Sequence, residues 1–224
     1  LSLLPDVFFR SDTGRTYLED WFHTFVAGTN PVDLDVPAAA SGSGTWRAWN
    51  ALNQSLSGTI YRLFTSAAPA DDGVNVAIAV LSPVTVKVVT YAAMAALLAL
   101  FLFAARPVRP SEDEPEWRLR LSGEFGLFLC GMVLFSPMSS KSHFCVLLIG
   151  QAFLVAYVLR RRDPITVGLL AAIAVLSLST TRSFLSRDVE DAVLACGPVT
   201  WAALATALAI ARVLHRSRPV PIRS

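Results

Sequence analysis

A short polar run in the second half of the chain carries the side chains best suited to chemistry. It reads SPMSSKSH over residues 136–143 and lies between two apolar stretches, 125–135 and 144–150. The ammonium group of Lys141 can bind an anion, and the imidazole of His143 can orient a hydroxyl or transfer a proton. Ionisable groups beside membrane helices are costly, and they typically mark a binding or transport site.

A second polar cluster, NQSLSGTIYR, begins at Asn53. On a helix, Gln54 and Ser55 fall near the face that holds Gly58, and Arg62 follows one turn later. Amides both donate and accept hydrogen bonds, and the guanidinium fork matches a phosphate or a carboxylate. These side chains are therefore candidates for binding a sugar or a phosphate. The alternative is an interfacial helix whose polar side faces water, with Arg62 reaching towards lipid headgroups.

The composition indicates a membrane protein. Hydrophobic residues make up 54% of the chain and charged residues only 16%, against about 25% charged in soluble domains. Between Val84 and Ala105 the one charge is Lys87, and a helix of about 20 residues covers the hydrocarbon core of a bilayer. Five segments are predicted to span the membrane: Val84–Ala105, Ser122–Pro137, Phe144–Leu159, Ile165–Thr181 and Ala192–Val213.

We predict an all-α fold in two parts. Residues 84–224 form a multipass transmembrane helical bundle of about five helices. Residues 1–83 form an outer-face region, with amphipathic helices predicted at Thr16–Ala27 and Ala48–Phe64 from apolar residues at three- and four-residue steps. The chain begins at Leu1 with no pattern typical of a signal peptide. We therefore expect it to be the C-terminal part of a larger membrane protein.

The arginines predict the orientation of the bundle. They cluster after the first span, between the third and fourth spans, and in the C-terminal tail. The positive-inside rule places these segments in the cytoplasm. The run 136–143, the loop Thr181–Asp191 and the region before Val84 then face outward, as in a multipass protein of the plasma (inner) membrane. Because the arginines serve as topology signals among membrane lipids, the net charge of +2 implies no nucleic-acid partner.

No metal site or cofactor site is predicted. The three histidines and the three cysteines lie far apart in the sequence and show no metal-ligand spacing. All three cysteines fall in predicted spans, where small apolar side chains serve helix packing. The glycines of the second predicted span have the same interpretation, and no glycine-rich phosphate loop is present.

The two polar clusters together resemble glycosyltransferase family 87, whose members are multipass GT-C enzymes typified by polyprenyl-phosphate-mannose-dependent α-1,2-mannosyltransferases. The pattern Asn-Gln-Ser-Leu-x-Gly-x-x-x-Arg matches from Asn53 to Arg62, and Glu124 matches a glutamate that begins a later helix. The family pattern Ser-Pro-x-Ser-Trp-x-His-His is matched at Ser136, Pro137, Ser139 and His143, with Ser140 and Ser142 at the tryptophan and first histidine places. The resemblance covers about residues 1–159.

The resemblance implies a GT-C-type membrane glycosyltransferase acting at the outer face. It would transfer a hexosyl group, mannosyl by the family default, from a polyprenyl-phosphate sugar donor to a lipid-linked or glycan acceptor. His143 would be the catalytic residue supplied by this chain. The substrate-binding residues would be Asn53, Gln54, Ser55, Arg62, Ser136, Ser139 and Lys141. GT-C enzymes place a catalytic aspartate in the first outer loop, which we expect upstream of this chain.

Two other classes of protein compete with this interpretation. A transporter or flippase-like protein would also use polar residues within its helices, but no paired broken helices are predicted here and Lys87 is the one mid-span charge. A non-catalytic membrane subunit is the third class. If the transferase interpretation is right, the helix Ala48–Phe64 should fold back so that Gln54 or Arg62 shares a cavity with Lys141 and His143.

Overall fold

The structure of the protein is a computed structural model. It describes residues 16, 19, 51–66, 74–105, 114–137, 139–181 and 186–216. The helix predicted at Thr16–Ala27 lies outside these ranges except for two residues, and the tail beyond residue 216 lies outside them altogether. Within the described ranges every regular element is a helix, which confirms the all-α fold class for this part of the chain.

The described helices follow one another closely along the chain. They are α1 (Leu56–Phe64), α2 (Pro83–Ala104), α3 (Glu114–Phe135), a 3-10 helix (Lys141–Val146), α4 (Leu147–Arg161), α5 (Pro164–Leu178), α6 (Arg187–Ala195) and α7 (Pro198–Arg216). Ser55 and Ser82 cap α1 and α2 by accepting a backbone N–H three residues further on. Three helices begin with proline, whose missing N–H costs nothing at that position.

Within the described ranges, three helical segments are long and apolar enough to cross a membrane. They are α2, the continuous segment Lys141–Arg161, and α7. By contrast, α3 carries Arg118, Arg120 and Glu124 within its last 18 residues, and α5 has 15 residues, which cover about 22 Å at about 1.5 Å per residue. The apolar helices agree with the predicted membrane protein, while the number of spans and their sidedness stay predictions.

Three sequence-based boundaries are wrong. The helix predicted at Ala48–Phe64 begins only at Leu56, because Ser55 is its N-cap. Glu124 does not begin a helix, since α3 starts ten residues earlier at Glu114. The stretch Thr181–Asp191, predicted as a loop, contains the first residues of α6. Charged residues at the start of α6 hid this helix from a pattern based on apolar runs.

Helix α7 forms the centre of the bundle. It packs against α2, α3, α4 and α5, and 67% of its most apolar window is buried, compared with 17% in α2. Its buried face is rich in alanine, at positions Ala202, Ala203, Ala207, Ala209 and Ala211. Small side chains let neighbouring helices approach closely, so α7 can contact four helices at once.

Helices α3 and α4 cross where two glycines face each other. A Cβ added to Gly126 would lie 2.8 Å from the Cα of Gly150 and 3.3 Å from Cδ1 of Ile210. A Cβ added to Gly150 would lie 2.9 Å from the same Ile210 atom. The backbones of α3 and α4 therefore touch beside α7, and neither glycine has room for a side chain.

Gly126→Ala is expected to lower the free energy of unfolding by about 1–3 kcal/mol, because an added methyl overpacks this crossing. The matched control is Gly168→Ala in α5, where nothing lies within 4 Å of an added Cβ. That variant should gain up to about 1 kcal/mol from the better helix propensity of alanine. Denaturant unfolding in detergent micelles compares the two variants. Equal stabilities would mean that α3 and α4 do not cross at these glycines.

One end of the bundle, which we call the basic end, is formed by four parts of the chain. They are the C-terminal ends of α2 and α7, the start of α3 and the turn between α4 and α5. The rings of Phe103 and His215 stack with centroids 5.5 Å apart. Arg120 donates to the carbonyl of Leu214 at 3.3 Å. All the described arginines of the predicted cytoplasmic segments therefore belong to helices or turns that meet here.

Asp163 holds the basic end together. Its carboxylate accepts hydrogen bonds from both terminal nitrogens of Arg212 and from Thr166, and Nη1 of Arg216 lies 3.5 Å from Oδ1. Arg162, in the left-handed conformation with φ 48°, makes the tight turn that presents Asp163. The hydrogen bonds from Arg212 keep the pKa of Asp163 well below its usual range. The clamp between this turn and α7 therefore stays ionised at neutral pH.

Candidate functional site

Residues 53–62 form a compact local structure at the opposite end, which we call the polar end. Oγ of Ser55 accepts the N–H of Gly58 at 3.0 Å. A Cβ added to Gly58 would lie 3.0 Å from both Cγ and the carbonyl oxygen of Asn53. Nη1 of Arg62 donates to that same carbonyl at 2.7 Å. The Asn-Gln-Ser-Leu-x-Gly-x-x-x-Arg pattern therefore describes a capped helix with its leading residues folded back over its first turns.

This structure binds the turn that follows α3. The backbone N–H of Gln54 donates to the carbonyl of Ser139 at 2.6 Å. The side chain of Asn53 donates to the Pro137 carbonyl at 3.2 Å and accepts the N–H of Ser139 at 3.3 Å. Asn53 and Pro137 are 84 residues apart in the sequence. The two polar clusters found in the sequence are thus in direct contact.

The same structure also binds the junction between α6 and α7. Nε of Arg62 donates to the Ala195 carbonyl at 2.9 Å, and the amide of Gln54 donates to the Leu194 carbonyl at 2.8 Å. These carbonyls lie at the C-terminal end of α6, where regular helical hydrogen bonding stops. The Leu194 carbonyl also accepts the backbone N–H of Gly197 at 3.0 Å. Residues 53–62 therefore join the turn after α3 to the end of α6.

Two threonines complete this contact. The hydroxyl of Thr200 donates to the backbone carbonyl of Gln54 at 2.6 Å and lies 2.7 Å from the hydroxyl of Thr59. Gly197, with φ 72°, brings the chain so close that an added Cβ would lie 2.4 Å from the Thr59 side chain. Only glycine can satisfy both the backbone conformation and this approach.

The four candidate residues of the first cluster are buried. Asn53, Gln54 and Ser55 are each 0% exposed, and Arg62 is 6% exposed. Burial lowers the pKa of Arg62 to about 10, so the guanidinium stays charged at neutral pH. Within the described part of the chain, Oε1 of Gln54 is the one buried side-chain atom without a hydrogen-bond partner. The other polar groups bond to protein atoms.

The candidate residues of the second cluster differ in exposure. Ser139 is 1% exposed, and its hydroxyl donates to the Val133 carbonyl at 2.9 Å. Ser136 is half-buried. Lys141 is exposed, and its ammonium donates to the Thr180 carbonyl just beyond α5. Cations are favoured at the C-terminal end of a helix, so Lys141 both tethers α5 and adds positive charge to the polar end.

His143 lies on the exposed side of the 3-10 helix. Its Nδ1 accepts the backbone N–H of Ser140 at 3.0 Å and lies 3.2 Å from the Ser140 hydroxyl. The hydroxyl of Ser142 is 2.8 Å from that of Ser140. The next residue, Phe144, is 6% exposed and belongs to the core. The imidazole is thus held at the surface by a segment anchored in the core.

The structure therefore brings seven of the eight predicted site residues together in two layers, and the half-buried Ser136 belongs to neither layer. The buried layer consists of Asn53, Gln54, Ser55, Arg62 and Ser139. The exposed layer consists of Lys141 and His143, which follow Ser139 in the same turn. The prediction that the first cluster folds back onto the second is confirmed, whereas a cavity shared by both layers stays a prediction.

Sequence reasoning missed several residues of this arrangement. The capping role of Ser140 could have been predicted from the sequence. A serine three residues before a side chain that forms hydrogen bonds, here His143, has the spacing of a capping box. The contact of Thr59 with Thr200 gave no signal, since the two are 141 residues apart and lie in apolar surroundings. Gly197 precedes Pro198, a pair typical of turns, but the pair does not reveal its partner.

Among the described residues, no group of three or more His, Cys, Asp or Glu side chains is placed to hold a metal ion. In comparisons with known proteins, no family model, no curated protein and no solved structure matches the chain. The interpretation of the polar end therefore depends on its residues, their contacts and the resemblance of its two motifs.

Proposed function

We propose that the chain is part of a membrane glycosyltransferase of the GT-C type. It transfers a hexosyl group, by the family default a mannosyl group, from a polyprenyl-phosphate sugar to a lipid-linked or glycan acceptor at the outer face of the plasma membrane. The observation that supports this most is the 2.6 Å hydrogen bond from the N–H of Gln54 to the carbonyl of Ser139. It joins the two motifs on which the resemblance depends.

In this proposal the exposed layer meets the substrate. The ammonium of Lys141 binds the phosphate of the donor, exchanging its contact with the neutral Thr180 carbonyl for one with an anion. Both hydrogen bonds have a charged donor, and the phosphate adds the attraction of a full opposite charge that the neutral carbonyl lacks. His143, two residues further on, contacts the donor at the bond to be broken.

The buried layer has a positioning role in this proposal. Arg62 and Asn53 fix the turn that carries Lys141 and His143, since Arg62 donates to the Asn53 carbonyl and Asn53 holds both Pro137 and Ser139. Catalytic groups need to be held within a fraction of an ångström. The general base that accepts the proton of the acceptor hydroxyl is assigned to none of the residues of the two layers.

One observation favours a second candidate, a non-catalytic membrane subunit. Most polar groups of the buried layer donate to or accept from protein atoms, and such contacts would serve a structural protein equally well. The transferase is preferred because Lys141 and His143 remain exposed on a turn that the core holds rigidly.

Transfer from the donor is the test that separates the two candidates. Membranes that contain the protein should move a radiolabelled hexose from polyprenyl phosphate to acceptor beyond the level of membranes without it. Lys141→Ala should raise KM for the donor about tenfold or more, because a hydrogen bond between charged groups contributes about 1.5–3 kcal/mol. Lys87→Ala, at an exposed lysine near the start of α2, is the matched control and should keep the original KM.

Absence of transfer above the background would contradict the proposed function and leave the non-catalytic subunit. An equal KM in the two lysine variants would mean that Lys141 does not bind the donor. The changes in KM and in kcat should be compared for each variant. A phosphate contact that is present in both the ground state and the transition state changes KM more than kcat.

A further inference from the structure

We infer that His143 presents its Nε2–H outward as a hydrogen-bond donor to an oxygen of the sugar donor, and that Ser140 is the positioning residue that fixes this form of the ring. The inference builds on the proposed function and gives His143 a specific role within it. The oxygen is one of the leaving phosphate, on which negative charge develops during transfer.

The hydrogen bond from Ser140 determines which ring nitrogen carries the proton. A backbone N–H can only donate, and that of Ser140 points at Nδ1 of His143 from 3.0 Å. Nδ1 must therefore be the unprotonated acceptor, and in a neutral imidazole the proton then lies on Nε2. The Ser140 hydroxyl, at 3.2 Å, can donate to the same nitrogen and strengthens the assignment.

The ring is held against rotation about its Cβ–Cγ bond, which would exchange Nδ1 with a carbon. The backbone N–H of His143 donates to the Ser140 carbonyl at 2.9 Å, which closes the first turn of the 3-10 helix. Phe144, directly after it, is buried in the hydrophobic core of the bundle. The backbone of His143 is thus fixed on both sides, and flipping the imidazole would place a C–H against the Ser140 N–H.

The free edge of the ring faces out of the protein. His143 is exposed, and within the described residues Nε2 takes part in no hydrogen bond. A neutral imidazole with this tautomer can donate from Nε2 but cannot accept a proton there. It can therefore stabilise negative charge that develops on an oxygen of the leaving phosphate, whereas it cannot act as the general base.

The capping geometry offers a matched pair of substitutions. Glutamine and glutamate are the residues that ordinarily occupy this position of a capping box, where a side-chain oxygen accepts the N-cap backbone N–H. His143→Gln and His143→Glu should both keep the hydrogen bond from Ser140. They have nearly the same shape, but only glutamine offers an outward N–H. The two variants therefore separate outward hydrogen-bond donation by residue 143 from its capping of the Ser140 N–H.

The rate of hexosyl transfer should depend on whether the side chain at position 143 has an outward N–H group. His143→Gln should stay within about tenfold of the original protein, and His143→Glu should fall by about 10²-fold or more, as expected for loss of one donor to a developing oxyanion. An active Glu variant beside an inactive Gln variant would overturn the inference in favour of a general base. Equal rates in the two variants, whether high or low, would overturn it as well.

A second measurement tests the tautomer without any activity. In protein labelled with ¹⁵N-histidine, the signals of the neutral form of His143, assigned by their loss in His143→Gln, should show a proton on Nε2 and none on Nδ1. A proton on Nδ1 would overturn the inference. If the protein transfers no sugar, the proposed function fails, and this measurement still decides the state of the ring. Ser140→Ala, which keeps the backbone donor, should leave the same tautomer in place.

Discussion

Arg62→Met is expected to lower the free energy of unfolding by about 2–6 kcal/mol. Methionine is unbranched like the aliphatic part of arginine and suits a buried site, but it leaves the carbonyls of Asn53 and Ala195 without the donors they have now. A buried polar group that loses its partner costs about 1–3 kcal/mol. Denaturant unfolding in detergent micelles measures the loss, which should be among the largest for a single substitution at the polar end.

The control is Arg160→Met, at an exposed arginine of α4 at the basic end. Exposed substitutions change stability by about 0.5 kcal/mol or less. The loss of unfolding free energy in Arg62→Lys should lie between those of the two methionine variants. The lysine ammonium group can reach one of the carbonyls of Asn53 and Ala195 but cannot reach both. A loss in Arg62→Met no larger than that of the control would mean that Arg62 does not hold the polar end together.

Hydrogen exchange would locate the effect. The amide of Gln54 is protected by its bond to the Ser139 carbonyl, and the amide of Thr90 lies inside the helical segment of α2. In Arg62→Met the amide of Gln54 should exchange faster by a larger factor than the amide of Thr90. The substitution breaks the contact with the turn after α3 locally, and this local opening needs less free energy than unfolding of the bundle. Equal acceleration at both amides would indicate global unfolding instead.

Apolar runs in the sequence are enough to predict most of the helices. Each of the five predicted spans overlaps a helix, because each of these long apolar stretches contains at most one charged residue. The start of α1 was misplaced for a local reason. Leu52 and Leu56 continue a helical spacing, but Ser55 competes for the backbone and caps the helix instead.

The contact between the two polar clusters was predictable, because the topology placed both on the same side of the bundle. Their burial was not. The side chain of Gln54 is buried by its bond to the Leu194 carbonyl, 140 residues away, and a backbone carbonyl has no signature in the sequence. Whether a polar residue faces a substrate or the protein depends on such distant partners, so the substrate-binding assignment for Gln54 could not be tested by pattern alone.

The exposed layer also has a structural component that its sequence does not reveal. Lys141 was predicted to bind a phosphate, and its contact with Thr180 adds a second role, the tethering of α5. The two roles are compatible, since the ammonium can exchange one oxygen acceptor for another. His143 has a fixed partner on one ring edge only, which makes it the sharper target for a kinetic test.

His143→Ala is expected to lower the rate of hexosyl transfer by about 10²–10³-fold, the loss typical of removing one donor to a developing negative charge. His215→Ala is the matched control, because its ring stacks on Phe103 at the basic end and so lies far from the polar end. His23→Ala, at a position outside the described residues, is a second control. Both should retain rates close to that of the original protein.

The substitution at His143 also removes a capping contact, which alone contributes about 1 kcal/mol to stability. Rates must therefore be compared at equal amounts of folded protein, and a lower kcat with an unchanged yield is the informative result. Since the Nε2–H acts on charge that develops during the reaction, kcat should fall more than KM rises, the reverse of the pattern expected for Lys141→Ala. Similar rates in all three histidine variants would show that His143 only caps the 3-10 helix.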